Sequence, residues 1–463
     1  MILEESRRRF LRQVLGTGVA LAGHSAALGL LSGCQSSSDA RLLEAGKGAS
    51  DWVLKPVRDA STGLELIELP EGFRYFSFGW HQSPLAGGET TPTAHDGMGL
   101  VKFEGDVVTL VRNHELWDDD GSYSNKIANY DSGAAGGTVT MRVDLKAEKL
   151  LDARASLAGT CANCSGGTTP WGSWLSCEEQ VIAEGEVITR RDGRPAVRFQ
   201  RSHGFVFEVP ADGASDAQAL PALGCFRHEG VAIDPHTGIV YLTEDRDPAS
   251  GLYRFLPEQS GDLRRGRLQM LRAVDAPDLR GGQKAGASYL TAWIDIADPG
   301  RPHDYRGDQA GVVTQGLKSG ATAFLRLEGI YFRGRDLYFT ATSAGAAGAG
   351  QIWVYRPDAG ELELVYESPA IAVMDFPDQI CGMQEGMVIC QDSKRVAPQA
   401  LWWLKPGGSP QVLARNHVIF EGTDYRAAEW SGVCTSPDGK WLFANIYSPG
   451  FSVAITGPWE RLG

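Results

Sequence analysis

The chain has 463 residues, among them 57 Gly, 23 Pro and 12 Trp, and a formal charge of -13. Its length allows one large β domain or two to three ordinary ones, each with a full core. The acidity argues against nucleic acid or an anionic membrane surface as a partner, because phosphate groups select basic faces, and favours cations instead.

Residues 1–34 read as an export address. Ser6-Arg7-Arg8-Arg9-Phe10-Leu11 sets twin arginines before an apolar stretch from Val14 to Leu31, the pattern of a twin-arginine signal. Leu31-Ser32-Gly33-Cys34 resembles a bacterial lipobox, so Cys34 is expected to carry lipid and to be the one membrane attachment, on the periplasmic side of the cell envelope. Cleavage there removes four Arg and two Glu and takes the charge to -15. Twin-arginine export carries folded proteins, often with a cofactor already loaded, which points to metal. Seven cysteines remain, at 161, 164, 177, 225, 381, 390 and 434, and in an oxidising compartment an odd number leaves at least one thiol unpaired. Residues 35–50 are small and polar and read as a linker; the folded domain is expected over 51–463.

From Trp52 onward the apolar runs are short, five to seven residues, and bounded by Gly and Pro, which predicts strands rather than helices. They fall into a repeat. Asp96-Gly97-Met98 opens a hairpin that closes on His114-Glu115, and Cys164-Ser165-Gly166 opens one that closes on Glu178-Glu179. Glu229-Gly230-Val231 leads to Glu244-Asp245, and Glu328-Gly329-Ile330 to Thr342-Ser343. Asp378-Gln379-Ile380 leads to Asp392, and Ser431-Gly432-Val433 to Asn445. A third strand follows several of these pairs. Six such meanders predict an all-β fold, a six-bladed β-propeller with inserted loops, in which the span 256–320 shows no clear strand pair and is expected to be an insertion over one face.

In a propeller the first strand of each blade lines the channel and the second runs back antiparallel, so the start of one and the end of the other share a mouth. Asp96, Glu115, Glu178, Glu179, Glu229, Glu244, Asp245, Glu328, Asp378 and Asp392 are therefore expected around one opening. Carboxylates that close must take up protons or bind cations; oxygen ligands select calcium, and one thiolate among them admits a transition metal. Cys161-Ala162-Asn163-Cys164 has the spacing of a zinc or redox pair but lacks a second pair, which leaves a disulfide or a single thiolate ligand, Cys164. Cys381 and Cys390 fall on paired strands and are either a disulfide or core thiols. Arg326, two residues before Glu328, is expected on the same side of an extended strand, either salt-bridged to the acids or gripping a phosphate through two parallel hydrogen bonds. His95, His114 and His228 read as structural hydrogen-bonders.

The segment from Cys164 to Glu179, His228 to Pro235, Arg326 to Ile330 and Phe376 to Ile380 resembles the PhoX-type alkaline phosphatases over roughly residues 60–460. The resemblance implies an exported propeller that hydrolyses phosphate esters with iron (Fe3+) and calcium at one mouth. It implies Cys164 as the iron ligand, Glu179, Glu229 and Glu328 as metal-binding carboxylates, Asp378 as a calcium ligand and Arg326 as the phosphate grip, beside Glu115 and Asp245 from the acidic ring. The expected partners are small-molecule phosphate esters, handled by a monomer. The chain is shorter than the best known members, and Thr243-Glu244-Asp245-Arg246 does not obviously repeat their acidic turn. Two other classes fit a calcium-lined propeller: a lactonase or related esterase, and a non-catalytic envelope lipoprotein scaffold.

Overall fold

The computed structural model describes residues 52–117, 121–188, 197–302 and 311–462; the signal and lipobox segment 1–34 and the linker 35–50 lie outside them. The described chain is almost entirely antiparallel β-structure, arranged as a propeller. Among the described residues six meanders follow one another, with first strands His95–Glu104, Asn163–Thr168, His228–Ile233, Leu327–Arg333, Pro377–Met383 and Trp430–Thr435. These define blades 1 to 6 below. Each first strand packs against the next, and Trp430–Thr435 packs back against His95–Glu104, which closes a ring around a central channel.

The strand pattern follows from this arrangement. A second strand such as Trp441–Ile446 is buried at every position because neighbouring blades cover both its faces, so it opens on a continuous apolar run from Trp441 to Ala444. An outer strand such as Ser288–Asp295 alternates between exposed and half-buried positions. Turns carry their own chemistry. In blade 3, Asp234 accepts from His236 N at 2.9 Å and from the Thr237 hydroxyl at 2.6 Å, and Gly238 takes a φ of 73°.

The ring is closed by both ends of the described chain. Arg74–Phe78, before blade 1, is the outer strand of blade 6 and pairs with Phe451–Thr456, with Phe76 opposite Ala454. Leu54–Arg58 and Glu65–Pro70 extend blade 5 beyond Gln411–Asn416.

Within the span 256–320, where the sequence shows no clear strand pair, the structure has two long strands. Gly266–Ala273 is the fourth strand of blade 3, and Ser288–Asp295 pairs with it and with Glu361–Glu367 of blade 4, which fuses the two blades into one nine-stranded sheet. A short helix, Val312–Lys318, buries Val312 and Val313 beside them. These outer strands interleave Arg267, Gln269 and Arg272 with apolar residues, so they lack the continuous runs by which inner strands are recognised.

Phe76 is fully buried on the closing strand, with its ring 5.7 Å from that of Trp441. Phe76→Ala is expected to cost about 3–5 kcal/mol, measured as a fall in the urea midpoint.

Candidate metal centre

Every first strand carries a β-bulge at the same place. In blade 1 His95 pairs with His114 and Met98 with Arg112, so Asp96 and Gly97 face the single residue Asn113. Blades 2 to 5 repeat this at Cys164-Ser165, Glu229-Gly230, Glu328-Gly329 and Asp378-Gln379. A bulge re-aims the side chain of its extra residue, and here it brings Asp96, Cys164, Glu229, Glu328 and Asp378 into one layer. In blade 6 the bulge falls on Gly432 and Val433, one residue later than the repeat read from the sequence, so glycine stands at the ligand position and Ser431 pairs directly with Asn445. Glycine after the acid permits the close packing of inner strands. A Cβ on Gly97 would lie 2.6 Å from Cys164 O, and one on Gly329 would lie 2.5 Å from Asp378 O.

In blades 1, 3 and 4 the residue opposite the bulge ties its blade to the next. Asn113 Nδ2 donates to Cys164 O at 3.0 Å and to Ser165 O at 2.7 Å, and its own carbonyl accepts from Trp174 and Ser176. The Thr243 hydroxyl donates to Glu328 O, and that of Thr340 to Asp378 O at 2.9 Å. The backbone under three candidate ligands is thus fixed from the neighbouring blade. Cys177 and Cys390 occupy the same position in blades 2 and 5.

Cys164 is the hub. Asp96, Glu115 and Cys164 offer ligand atoms within 4.8 Å of one another, and so do Cys164, Glu179 and Glu229. Cys164 Sγ donates to Glu229 Oε1 at 2.6 Å, while Glu229 Oε2 and Asp378 Oδ1 are buried without a partner among the described residues. Glu115 accepts from Tyr447 OH at 2.9 Å and Trp117 Nε1 at 3.2 Å, and Gln379 Nε2 donates to Asp96 Oδ1 at 2.7 Å. Beyond the bulges the channel widens into a cavity of about 440 Å³ with a mixed lining, in which Leu100, Val231, Ile330 and Val433 stand beside Ser165, Thr168 and Gln379.

Burial and mutual repulsion raise these acids. Desolvation, with the charges of Glu328 and Glu179, pushes Glu229 well above the usual carboxylate range; desolvation and Glu115 do the same to Asp96. Glu179, Asp378 and Glu429 are also raised, each by burial first. Glu328 is pushed up to about 7 by burial against the pull of Arg326, and the Cys164 thiol is raised by burial and then by Asp96 and Glu229. Such a cluster holds protons until a cation displaces them. The mixed thiol and carboxylate donors and the two orphaned oxygens fit a thiophilic ion at Cys164 beside oxygen-bound hard ions.

The acids expected at the mouth divide by parity. Glu178 and Glu244 lie opposite Asn163 and His228 in the ladder, and Glu179 and Asp245 one residue further on, so alternation sends the two pairs to opposite faces. Glu244 turns to Gly251 N and the Tyr253 hydroxyl and is not part of the cluster; nor is Glu178. Glu115, Glu179 and Asp245 do reach it. Glu429 interacts with Asp392, Asp96 and Glu115 and was missed, because it precedes blade 6 in a stretch with no apolar pattern. Arg227 was missed too: its Nε donates to Glu179 O at 3.0 Å and its Nη2 to Glu179 Oε1.

Arg326 is in the cluster, but not by simple alternation. Its φ is 47°, as are those of Ala94 (54°), Ala162 (48°) and Phe376 (52°) in the left-handed region, so four of the chain's six approaches to a bulge turn there. Nε and Nη2 bind Asp245 at 2.9 and 3.0 Å, and Nη2 also binds Glu328 Oε1 at 2.7 Å. The fork expected to grip phosphate by two parallel bonds is held by Asp245. The Phe376 ring lies between this guanidinium at 5.7 Å and that of Arg395 at 4.3 Å. All seven described cysteines are free, so neither the 161/164 nor the 381/390 disulfide forms. His95, His114 and His228 donate to the carbonyls of Pro92, Thr93 and Gly224 and stand outside the cluster.

A carboxyl whose folded value is raised stabilises the fold fully below its unfolded value, and that contribution is lost as pH climbs through the folded one. For Glu328 this window runs from 4.5 to about 7. The metal-free chain is therefore expected to melt at falling temperature from about pH 5 to about pH 8, and added calcium to flatten that slope. Equal slopes with and without calcium in differential scanning calorimetry would contradict the picture.

Oligogalacturonate lyase in complex with manganese aligns at a TM-score of 0.35 and 12% identity over 91% of this chain and 100% of that one. A nidogen/laminin complex aligns at 0.33 and 9% over 72% and 90%, and the PQQ domain of pyranose dehydrogenase from Coprinopsis cinerea at 0.29 and 11% over 84% and 97%. No curated protein matches the sequence. The profile of alkaline phosphatase PhoX matches residues 54–156 and 132–450. Matched over most of its length, the chain belongs to the alkaline phosphatase PhoX family.

Proposed function

We propose that this protein is a metal-dependent phosphomonoesterase whose centre is built on Cys164. The observation that carries the reading is the meeting of one buried thiol, a crowd of buried carboxylates and a guanidinium at a single mouth. Cys164, Glu179 and Glu229 would hold an iron ion (Fe3+). Asp96, Glu115, Glu328, Asp378 and Asp245 would hold calcium. When bound, these cations supply the positive charge and Lewis acidity that a phosphoryl group needs in its transition state.

The chain's own residues do the rest. Asp245 and Glu328 fix Arg326 through Nε and Nη2, which leaves Nη1 to meet a phosphoryl oxygen. Burial would pull the Arg326 guanidinium down, but Glu328 and Asp245 outweigh it and hold the charge firmly. Tyr447 and Trp117 orient Glu115, and Gln379 orients Asp96. Export by residues 1–34, a lipid on Cys34, residence on the periplasmic side of the envelope and a monomeric state belong to the same proposal.

Arg326→Ala should keep its metals, by elemental analysis, and lose turnover of p-nitrophenyl phosphate by about 10²–10³-fold. Parental rates in that variant would remove Arg326 from the mechanism. Cys164→Ser should lose iron while keeping calcium. Hydrolysis of lactones in preference to phosphate esters, or calcium without iron and no turnover, would favour an esterase or a scaffold.

A further inference from the structure

Glu178, excluded from the cluster by parity, belongs to a second buried network. His203 Nδ1 lies 2.6 Å from Glu178 Oε1 and its Nε2 3.3 Å from Asp131 Oδ2, and all three side chains have no exposed surface. Every other oxygen contact is also met. Glu178 Oε1 accepts from Cys161 N at 2.9 Å, and Oε2 from Gly204 N at 2.8 Å and Phe205 N at 3.1 Å. Asp131 accepts from Gly133 N at 2.8 Å, Gln200 N at 2.6 Å and Arg201 N at 3.0 Å. The edges of Tyr130 and Phe199 stand against the imidazole, at 5.4 and 5.1 Å between centroids. Burial alone would lower His203, yet Glu178 and Asp131 outweigh it and hold it up at about 9.

The position of this network gives it a consequence. Glu178 is the chain neighbour of Glu179, and through Cys161 N it holds the start of the turn that leads to Cys164. That turn is locked to the same strand end a second time, because Glu179 N donates to Ala162 O at 2.9 Å. Two of the three ligands in the Cys164, Glu179, Glu229 group are therefore set from behind by one carboxylate. Resting on the metal-centre reading, we propose that His203 is a positioning residue: wedged between Asp131 and Glu178, it keeps Glu178 seated and so presets Cys164 Sγ and the Glu179 carboxylate for a cation. Hydrogen-bonded partners of this kind behind a metal ligand typically govern 10–100-fold in affinity.

The test uses His203→Gln in the metal-free full-length protein, with Asp131→Asn as a milder second variant should the first not fold. Cobalt(II) is titrated in and followed by thiolate-to-cobalt absorption, and hydrogen exchange is measured over residues 160–165, 178–180 and 377–383. The expected result is cobalt affinity lowered about 10–100-fold with an altered absorption, and faster exchange in the first two segments but not the third. Phe76→Ala, which destabilises a distant strand, should leave cobalt affinity unchanged. Parental affinity in His203→Gln, a loss no greater than that of Phe76→Ala, or unchanged exchange over 160–165 and 178–180 would overturn the proposal. Should Cys164→Ser give the parental cobalt absorption, the metal-centre reading itself fails, and exchange in the metal-free protein still decides whether His203 orders the two segments.

Discussion

The carboxylates crowded around Cys164 repel one another across a space that six inner strands enclose. Left ionised and unpaired, they would push those strands apart. The fold answers in two ways. Hydrogen bonds from Asn113, Thr243 and Thr340 fasten the ligand-bearing backbone to the next blade, so the repulsion meets a seam rather than a set of loose loops. The acids themselves hold protons that a cation can replace. On the proposed reading, the scaffold rather than the ion sets the geometry of the site.

How the scaffold aims its donors is the part that sequence conceals. A β-bulge has no composition of its own: Cys164-Ser165 and Asp378-Gln379 adopt the same two-against-one pairing as Asp96-Gly97. The repeat of polar residue, glycine and apolar strand was legible because inner strands are covered on both faces and glycine is needed where backbones nearly touch, as at Gly97 and Gly329. The hub at Cys164 and the acids Glu179, Glu229, Glu328 and Asp378 followed from that phase. What failed was parity at the returning strand, where two adjacent acids differ only in the face they occupy, and phase in blade 6, where Ser431 stands one residue away from the bulge. Glu429 and Arg227 sit on connections that carry no period, and only tertiary structure brings them in.

The cysteines illustrate the same limit. Cys164, Cys177 and Cys390 are all buried, and spacing alone does not separate them. Structure does: Cys164 lies in a bulge and faces acids, whereas Cys177 and Cys390 lie opposite a bulge, where blades 1, 3 and 4 place an amide or a hydroxyl that reaches the neighbouring strand. A thiol there is a small, weak hydrogen-bonder that fills space. Cys390, whose thiol meets the Val433 backbone, retains a trace of that tether.

Blade 6 takes its outer strand, Arg74–Phe78, from one side of the ring and its other three from the far end of the chain. During synthesis that first strand leaves the ribosome long before Phe451–Thr456 exists to receive it. Asp96, whose carboxylate is held by Gln379 and whose carbonyl is held by Asn445, likewise waits for the last blades. On the proposed reading, the cation site at this mouth is therefore finished only when the last blades have folded.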